Sequence, residues 1–555
     1  MKKLAAMFLV LSLLVGLAGC SQPSPSQASS TNPTAEGASA TQPAPAFTAE
    51  ELEAALSAEI PKLSEEKVEL TFWYVWGAGQ QMYLDDLNGT VSMQKLEELT
   101  NVHINWVHPA IGTEGEIFAT MLASPEKPDM IFNGNLSDVQ FVGGAEKALD
   151  DGIIIPLNDL VNKYAPAYEY WREKDVSIAR DTMTGNGIIW TFSQISDGVE
   201  PPFSGLTMRT DWLRKLGLDK PVTIDDWDKT LRAVKAAYPD AIPLMIDSTG
   251  YYQSADFMTA YGVGPEFYQK DNVVHYGPME SGYKEYLTLM NKWYADGLLD
   301  SSFTSRNTEM FSTGGDSTMW ATDQCFASQG FWIGCGNASE MALFTPQDPE
   351  FERMAVQSPV LKEGDELMGF GFTNPTRGWT VITSDCKNPE LAAQWLNIFY
   401  TNAGMLLMNY GIEGEHYELD ADGNPVYTEA FLNDPAGATN ALWRDFRNDG
   451  PGNVDFRKFW QTMGGENQLD AYDQWMKNKS ENNSIDAATL SSDESRTFVS
   501  IMSDIDTFVG EAVVQFIMGT RPLDQYDAFV EQLRAMGIEE ALQIKQDAWN
   551  RYSSR

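Results

Sequence analysis

The residues with chemical capacity in this chain are aromatic rings set beside amides and glycines. They recur as Trp73-Tyr74-Val75-Trp76, Tyr251-Tyr252-Gln253, Thr318-Met319-Trp320, Gly330-Phe331-Trp332 and Arg377-Gly378-Trp379. A ring face offers apolar contact and shape, while neighbouring Asn, Gln or Arg directs hydrogen bonds. That mixture suits a sugar, whose CH groups lie on its faces and whose hydroxyls lie at its edges. Any one Trp reads equally well as core packing. The set as a whole points to a ligand, because several members fall at strand ends.

Catalytic and cofactor signatures do not accompany them. The sequence contains no Gly-x-Ser-x-Gly elbow, no HExxH, no CxxC and no Walker A loop, and Gly77-Ala78-Gly79 supplies only half of a dinucleotide loop. His103 and His108 are five apart, which matches neither a strand face nor a helix face, so no shared metal is expected. Asp420-Ala421-Asp422-Gly423-Asn424-Pro425 bears a partial likeness to a calcium loop. Pro425 occupies the turn-glycine position and no Glu falls at the twelfth place, so a β-hairpin turn at Asp422-Gly423 is the expectation. No cofactor is expected. Carboxylate pairs are uninformative among 79 acidic residues.

With 38 Lys and Arg against 79 Asp and Glu, the formal charge is −41. Such a surface repels nucleic acid and anionic lipid headgroups. Membrane attachment must therefore come from elsewhere, and the N-terminus offers it. Lys2 and Lys3 precede an apolar run from Leu4 to Leu17, then Leu17-Ala18-Gly19-Cys20. This is a signal peptide over 1–19, and the last four residues resemble a bacterial lipobox that would lipidate Cys20. Residues 20–47 form a Ser-, Pro- and Thr-rich tether with a reach of about 30 Å. Cys325, Cys335 and Cys386 are odd in number, so one thiol stays free unless it pairs between chains. A Cys325–Cys335 bridge across a short loop is left open.

The elements that must position the rings alternate from residue 68. Strands are predicted at Val68–Val75, Val102–Val107 and Asp129–Phe132, with helices over Val91–Thr100 and Ile117–Leu122 between them. Strand, helix, strand, helix, strand implies a parallel sheet with ligands beyond its carboxyl ends, where Trp76 and Asn133 fall. The chain starts over near 205. Strands are predicted at Gly205–Arg209 and Ile242–Ile246. Helices follow Thr223 as N-cap and run over Gly282–Asp296 up to Gly297. A strand over Trp379–Thr383 and a helix over Asn388–Thr401 come next. Residues 411–470 read as irregular, and 494–552 as helical with a break at Pro522.

Several soft motifs occur together in order: Met121-Leu122-Ala123-Ser124 with Pro128-Asp129-Met130-Ile131, Gly152–Leu160 with Tyr164-Ala165-Pro166, Arg209–Gly217, Tyr283–Leu299, Cys386–Glu390, Tyr410–Tyr417 and Ala548–Tyr552. In this the chain resembles the lipid-anchored extracellular solute-binding proteins of bacterial ABC importers, family 1, of the LipO-like carbohydrate type. The resemblance implies an α/β fold: a two-lobe periplasmic-binding-protein-like clamp (type II) with hinge strands and a helical C-terminus. Lobe one is expected over 48–204 plus about 377–410, and lobe two over 205–376 plus about 494–555. Residues 411–493 are expected as an insertion packed at the lobes. The chain should leave lobe one near Gln194–Gly205 and return near Gly371–Trp379.

The implied cleft residues are Trp76, Asn133, Gln194, Trp332 and Trp379. Tyr252 is a further aromatic candidate, and Arg209 and Arg377 are candidates for a local anion site. The implied partners are a carbohydrate ligand, the ABC permease subunits and the membrane, through the lipid on Cys20. No nucleic-acid partner is implied, and a monomer on the outer face of the cytoplasmic membrane is expected. The calcium-site loop of related alginate receptors has no match in the first lobe. A peptide-binding version of the same scaffold and a surface-anchored hydrolase are the alternatives.

Overall fold

The computed structural model describes residues 47–134, 139–196, 202, 204–252, 254–306, 311, 316–337, 348–370, 375–447, 449–462, 466–477 and 479–555. Cys20, the signal segment, the tether to residue 46, Asn135, Gln253 and Gly371 lie outside the described residues. The chain divides into two units, Met1–Pro45 and Ala46–Arg555. The described elements all belong to the second.

Strand β1 (Val68–Tyr74) alternates cleanly. Leu70, Phe72 and Tyr74 enter one buried cluster, and Trp73 enters another on the opposite face. Both faces are covered, as a parallel sheet requires. β1 pairs in parallel with β2 (Val102–Val107) and β3 (Met130–Asn133). The chain then passes through β4 (Gln194–Ser196) into β5 (Ser204–Arg209), β6 (Ile242–Leu244) and the hairpin β7 (Phe267–Lys270) and β8 (Val273–Tyr276). It continues through β9 (Cys325–Phe331), β10 (Gly336–Asn337), β11 (Glu352–Ala355) and β12 (Leu367–Gly369). β13 (Thr376–Arg377) and β14 (Trp379–Ile382) lead back. β14 joins the first sheet antiparallel to β3, giving the order β14-β3-β1-β2.

The second sheet has the order β10-β11-β5-β9-β6. Its core combines Leu206 and Met208 with Trp227, Trp293 and the helix Ser492–Met518. Helix ends follow the sequence signals. Thr223 and Ser491 each close a capping box, and Gly217 takes the left-handed conformation at its helix end. The C-terminal helices Ser492–Met518, Tyr526–Ala535 and Ile538–Ser553 pack on the second lobe.

Residues 411–470 are not irregular. They form the hairpin β15 (Tyr417–Leu419) and β16 (Pro425–Tyr427), strand β17 (Gly452–Val454) and several short helices. Their core is aromatic: Tyr410, Tyr417, Tyr427, Phe431 and Phe446 gather with Trp475 and with Trp332 from the second lobe. In the β15–β16 turn the Asp420 carboxylate accepts the amides of Asp422 and Asn424 at 2.9 and 2.8 Å. A last strand, β18 (Lys479–Asn482), pairs in parallel with β12.

Three strands connect the halves. β4 pairs antiparallel with β13, bringing Gln194 opposite Arg377, and parallel with β17. The chain passes from the first sheet to the second beyond β4 and returns through β13 to β14. The third strand, β17, has no counterpart in the sequence reading. Cys325, Cys335 and Cys386 are free thiols. Cys325 opens β9 and Cys335 lies beyond its other end. A seven-residue extended strand spans roughly 20 Å, which no disulfide bridges.

Candidate interlobe binding site

The two sheets turn corresponding edges toward the hinge. In the first, the parallel strands β1, β2 and β3 end at one edge, and antiparallel β14 begins there. That edge carries Trp76, His108, Asn133 and Trp379. In the second, β5 starts at Ser204 opposite Phe331 at the end of β9, and β6 runs parallel to β9. Its hinge-facing edge therefore carries Trp332 and the loop from Asp247 to Tyr251.

On the first edge the rings form a ladder. The Trp76 indole lies flat on the His108 imidazole, centroids 3.9 Å apart at 11°. His108 stacks on Trp106 at 5.7 Å, and Trp106 on Phe72 at 5.3 Å. His108 Nδ1 donates to the Tyr74 carbonyl at 2.9 Å. Burial lowers the His108 pKa, against that hydrogen bond, so the imidazole is neutral near pH 7. Its Nε2 then offers a buried lone pair with no partner among the described residues. Sequence reasoning weighed His108 only as half of a metal pair. Its place at the end of β2 was the available signal.

Trp379 pairs in register with Asn133 and lies 5.0 Å from Phe141 and 6.2 Å from Trp190. Its Nε1, like that of Trp190, has no acceptor among the described residues. Asn133 Nδ2 donates to the Val139 carbonyl at 2.8 Å. Gly378 lets these strands approach: φ is +62°, and a Cβ there would meet the Asn133 carbonyl at 2.6 Å. Gln194 is buried and Arg377 half-buried, facing each other across β4 and β13.

On the second edge Trp332 stands 5.6 Å from Trp460, which stands 6.3 Å from Tyr472. Trp460 belongs to the segment read as irregular and was missed for that reason. Trp76 is 8% exposed and Trp332 and Trp379 are each 5% exposed, so all three are walls more than open platforms.

Two expected site residues are placed elsewhere. Arg209 closes β5 at the end away from the hinge. Its guanidinium is fully buried, forked onto Asp211 at 2.7 Å through both Nε and Nη2, and paired with Asp323. Rings of Trp212 and Phe351 cover it. With its donors committed to internal carboxylates, it is not an anion site for a ligand. Tyr252 is buried in the second-lobe core, its hydroxyl donating to the Met245 carbonyl and its ring set edge-on to Phe311. The neighbouring Tyr251 is the half-buried one.

Among the described residues no cluster of His, Cys, Asp and Glu is arranged to hold a metal ion, and no helix is long and apolar enough to cross a membrane. The two edges offer flat apolar faces with indole, amide and imidazole groups beside them. Such groups suit recognition of a polyhydroxylated ligand.

No family model matches the chain. It is 24% identical over 514 residues to the fructooligosaccharide ABC transporter substrate-binding protein FusA of Streptococcus pneumoniae serotype 4 (strain ATCC BAA-334 / TIGR4), covering 84% of this chain and 88% of FusA. It is 23% identical over 351 residues to lipoprotein LipO of Bacillus subtilis (strain 168), covering 59% of this chain and 64% of LipO. Among solved structures, the alginate-binding protein AlgQ2 without calcium ion aligns at a TM-score of 0.69 with 20% identity, over 89% of this chain and all of that one. FusA in complex with kestose aligns at 0.66 with 20% identity, over 88% of this chain and 99% of that one. Sequence and fold thus relate the chain to the extracellular solute-binding proteins of carbohydrate ABC importers.

Proposed function

We propose that the protein captures an oligosaccharide between its lobes and delivers it to the permease of an ABC importer. The observation that carries this reading is that each of the two main sheets ends in Trp-bearing loops where the chain passes through the three-stranded connection β13-β4-β17. Trp76, Asn133, Gln194, Trp332, Arg377 and Trp379 are the proposed ligand-facing residues, joined by His108 and Trp460. We assign 48–204 and about 377–410 to lobe one, 205–376 and about 494–555 to lobe two, and 411–493 to a module bound to both. FusA is a fructooligosaccharide transporter's substrate-binding protein, solved in complex with kestose, while AlgQ2 is an alginate-binding protein. The net charge of −41 favours a neutral ligand here.

The lipid on Cys20 would hold the protein on the outer face of the membrane while the tether lets it reach the permease. The protein acts as a monomer without a cofactor, and as a binder rather than a hydrolase. Isothermal titration against kestose, fructo-nystose, other neutral oligosaccharides and short peptides tests the reading, with product analysis of each mixture. Saturable binding of one oligosaccharide, recovered intact, is the expected result. Peptide binding alone, or cleavage of the glycan, overturns it.

A further inference from the structure

The second lobe carries a concavity of about 340 Å³ that borders the loop from Asp247 to Tyr251 and includes none of the proposed oligosaccharide-facing residues. Tyr251, Glu266, Tyr276, Asp506, Val509 and Val513 line it. The two carboxylates come from separate elements, Glu266 from the turn before β7 and Asp506 from the helix Ser492–Met518. Among the described residues neither has an ion-pair partner within 4.0 Å. Burial raises the pKa of both, and the Asp506 charge raises that of Glu266 further. Asp486 faces Glu266 as well. The Lys545 charge acts on Glu266 and lowers its pKa in part; the ammonium lies over the Phe498 ring, 4.8 Å from its centroid, and burial holds its own pKa down.

A second observation points to a missing partner. Tyr276 is 3% exposed and lines the concavity. Its hydroxyl is close enough to Asp506 and Glu266 to feel both charges, yet it has no hydrogen-bond partner among the described residues. The Tyr251 hydroxyl reaches Glu266 Oε1 only at 3.4 Å. The Tyr276 hydroxyl meets the concavity without a protein partner among the described residues, and two carboxylates sharing a hollow repel. A protonated amine relieves both. Its three N–H donors serve two carboxylates and a phenol oxygen, and the Tyr faces favour a cation.

We propose that this concavity is a binding site for a small hydroxylated solute carrying a protonated primary amine. The volume fits one hexosamine ring with a free amine: the ammonium between Glu266 and Asp506, the ring against Tyr251, Val509 and Val513, and one hydroxyl or the ammonium itself on Tyr276. The site belongs to one lobe and does not depend on the interlobe reading.

Titration calorimetry with D-glucosamine, N-acetyl-D-glucosamine and D-glucose tests it. Acetylation removes the charge and keeps the ring. Glucosamine is expected to bind at least tenfold more tightly than either neutral sugar. Glu266→Gln and Asp506→Asn are each expected to lower its affinity at least tenfold, and Tyr276→Phe several-fold. The two amide variants relieve like-charge repulsion, so their melting temperatures should equal or exceed the parent's, which keeps the binding result interpretable. Equal affinity for the three sugars, no glucosamine binding at millimolar concentration, or undiminished binding in both amide variants overturns the proposal. Amine binding by a protein that takes no oligosaccharide keeps this site and removes the importer reading. Oligosaccharide binding without amine preference does the reverse.

Discussion

Trp379 is a proposed wall of the cleft and a member of a buried core. It packs among Phe118, Phe141 and Trp190, while its Nε1 has no acceptor among the described residues. Trp379→Ala should therefore cost about 3–5 kcal/mol of stability as well as affinity. Trp379→Phe separates the two. It keeps most of the packing, so the melting temperature should move by only a few degrees. Affinity should fall about tenfold if Nε1 serves a ligand oxygen, a change of about 1.4 kcal/mol. Unchanged affinity in a folded Trp379→Phe protein would remove the residue from the site. Arg209 makes the opposite prediction. Arg209→Met strands the buried Asp211 carboxylate, at a cost of about 3–5 kcal/mol, and should leave the affinity of the folded protein untouched. The difference between these residues was not legible in the sequence. Both stand at the end of a predicted strand beside aromatic residues. The pattern gives a strand's faces but not which end meets the hinge, and in β5 that end is Ser204.

At the scale of elements, strands with strict alternation were readable. β1 is an example, because each of its faces meets a different cluster. The third crossing was not, because β17 is three residues long and its partner β4 is distant in sequence. The aromatic core of 410–475 was hidden for the same reason: it closes only on Trp332, Cys335 and Ala355 from another lobe. The end of the helix Ile538–Ser553 adds a further tie that no motif announces. Tyr552 donates to Asp181 at 2.7 Å, and the hinge residue Thr376 donates to the same carboxylate at 2.6 Å. Nearby, the Gly185 amide donates to Thr489 at 2.9 Å and Arg551 pairs with Glu494. Burial raises the Asp181 pKa to about 6, more than its two donors lower it. The folded state then holds a proton that the unfolded chain has lost between about pH 4 and 6, so this group's contribution to stability falls as pH rises through that window. The Asp181→Asn variant should lose that component. Melting curves of parent and variant between pH 4.5 and 7.5 are expected to converge at the acidic end and to separate above pH 6. Parallel curves would show that Asp181 does not titrate there.

At the scale of the whole molecule, the four- and five-stranded sheets are joined by three short strands. Ligand contacts to both edges should tip the protein closed. Small-angle scattering at saturating oligosaccharide is expected to give a smaller radius of gyration than the free protein, and an identical profile would argue against the clamp. Cys20→Ser should release the protein from membranes, and a variant that still fractionates with membranes would refute the lipid anchor. The order of segments has a consequence for how such a chain is made. The first sheet lacks β14 until every strand of the second sheet has been synthesised. The second core lacks Val513, Phe516 and Ile517 until the helix Ser492–Met518 follows. The first sheet can therefore close only after β14 has emerged, and the second core only after the helix Ser492–Met518 has followed. Both closures depend on contacts between residues far apart in sequence, which form slowly. A chain of this order is suited to export before folding, and it is exposed to proteolysis for as long as its last helices are missing.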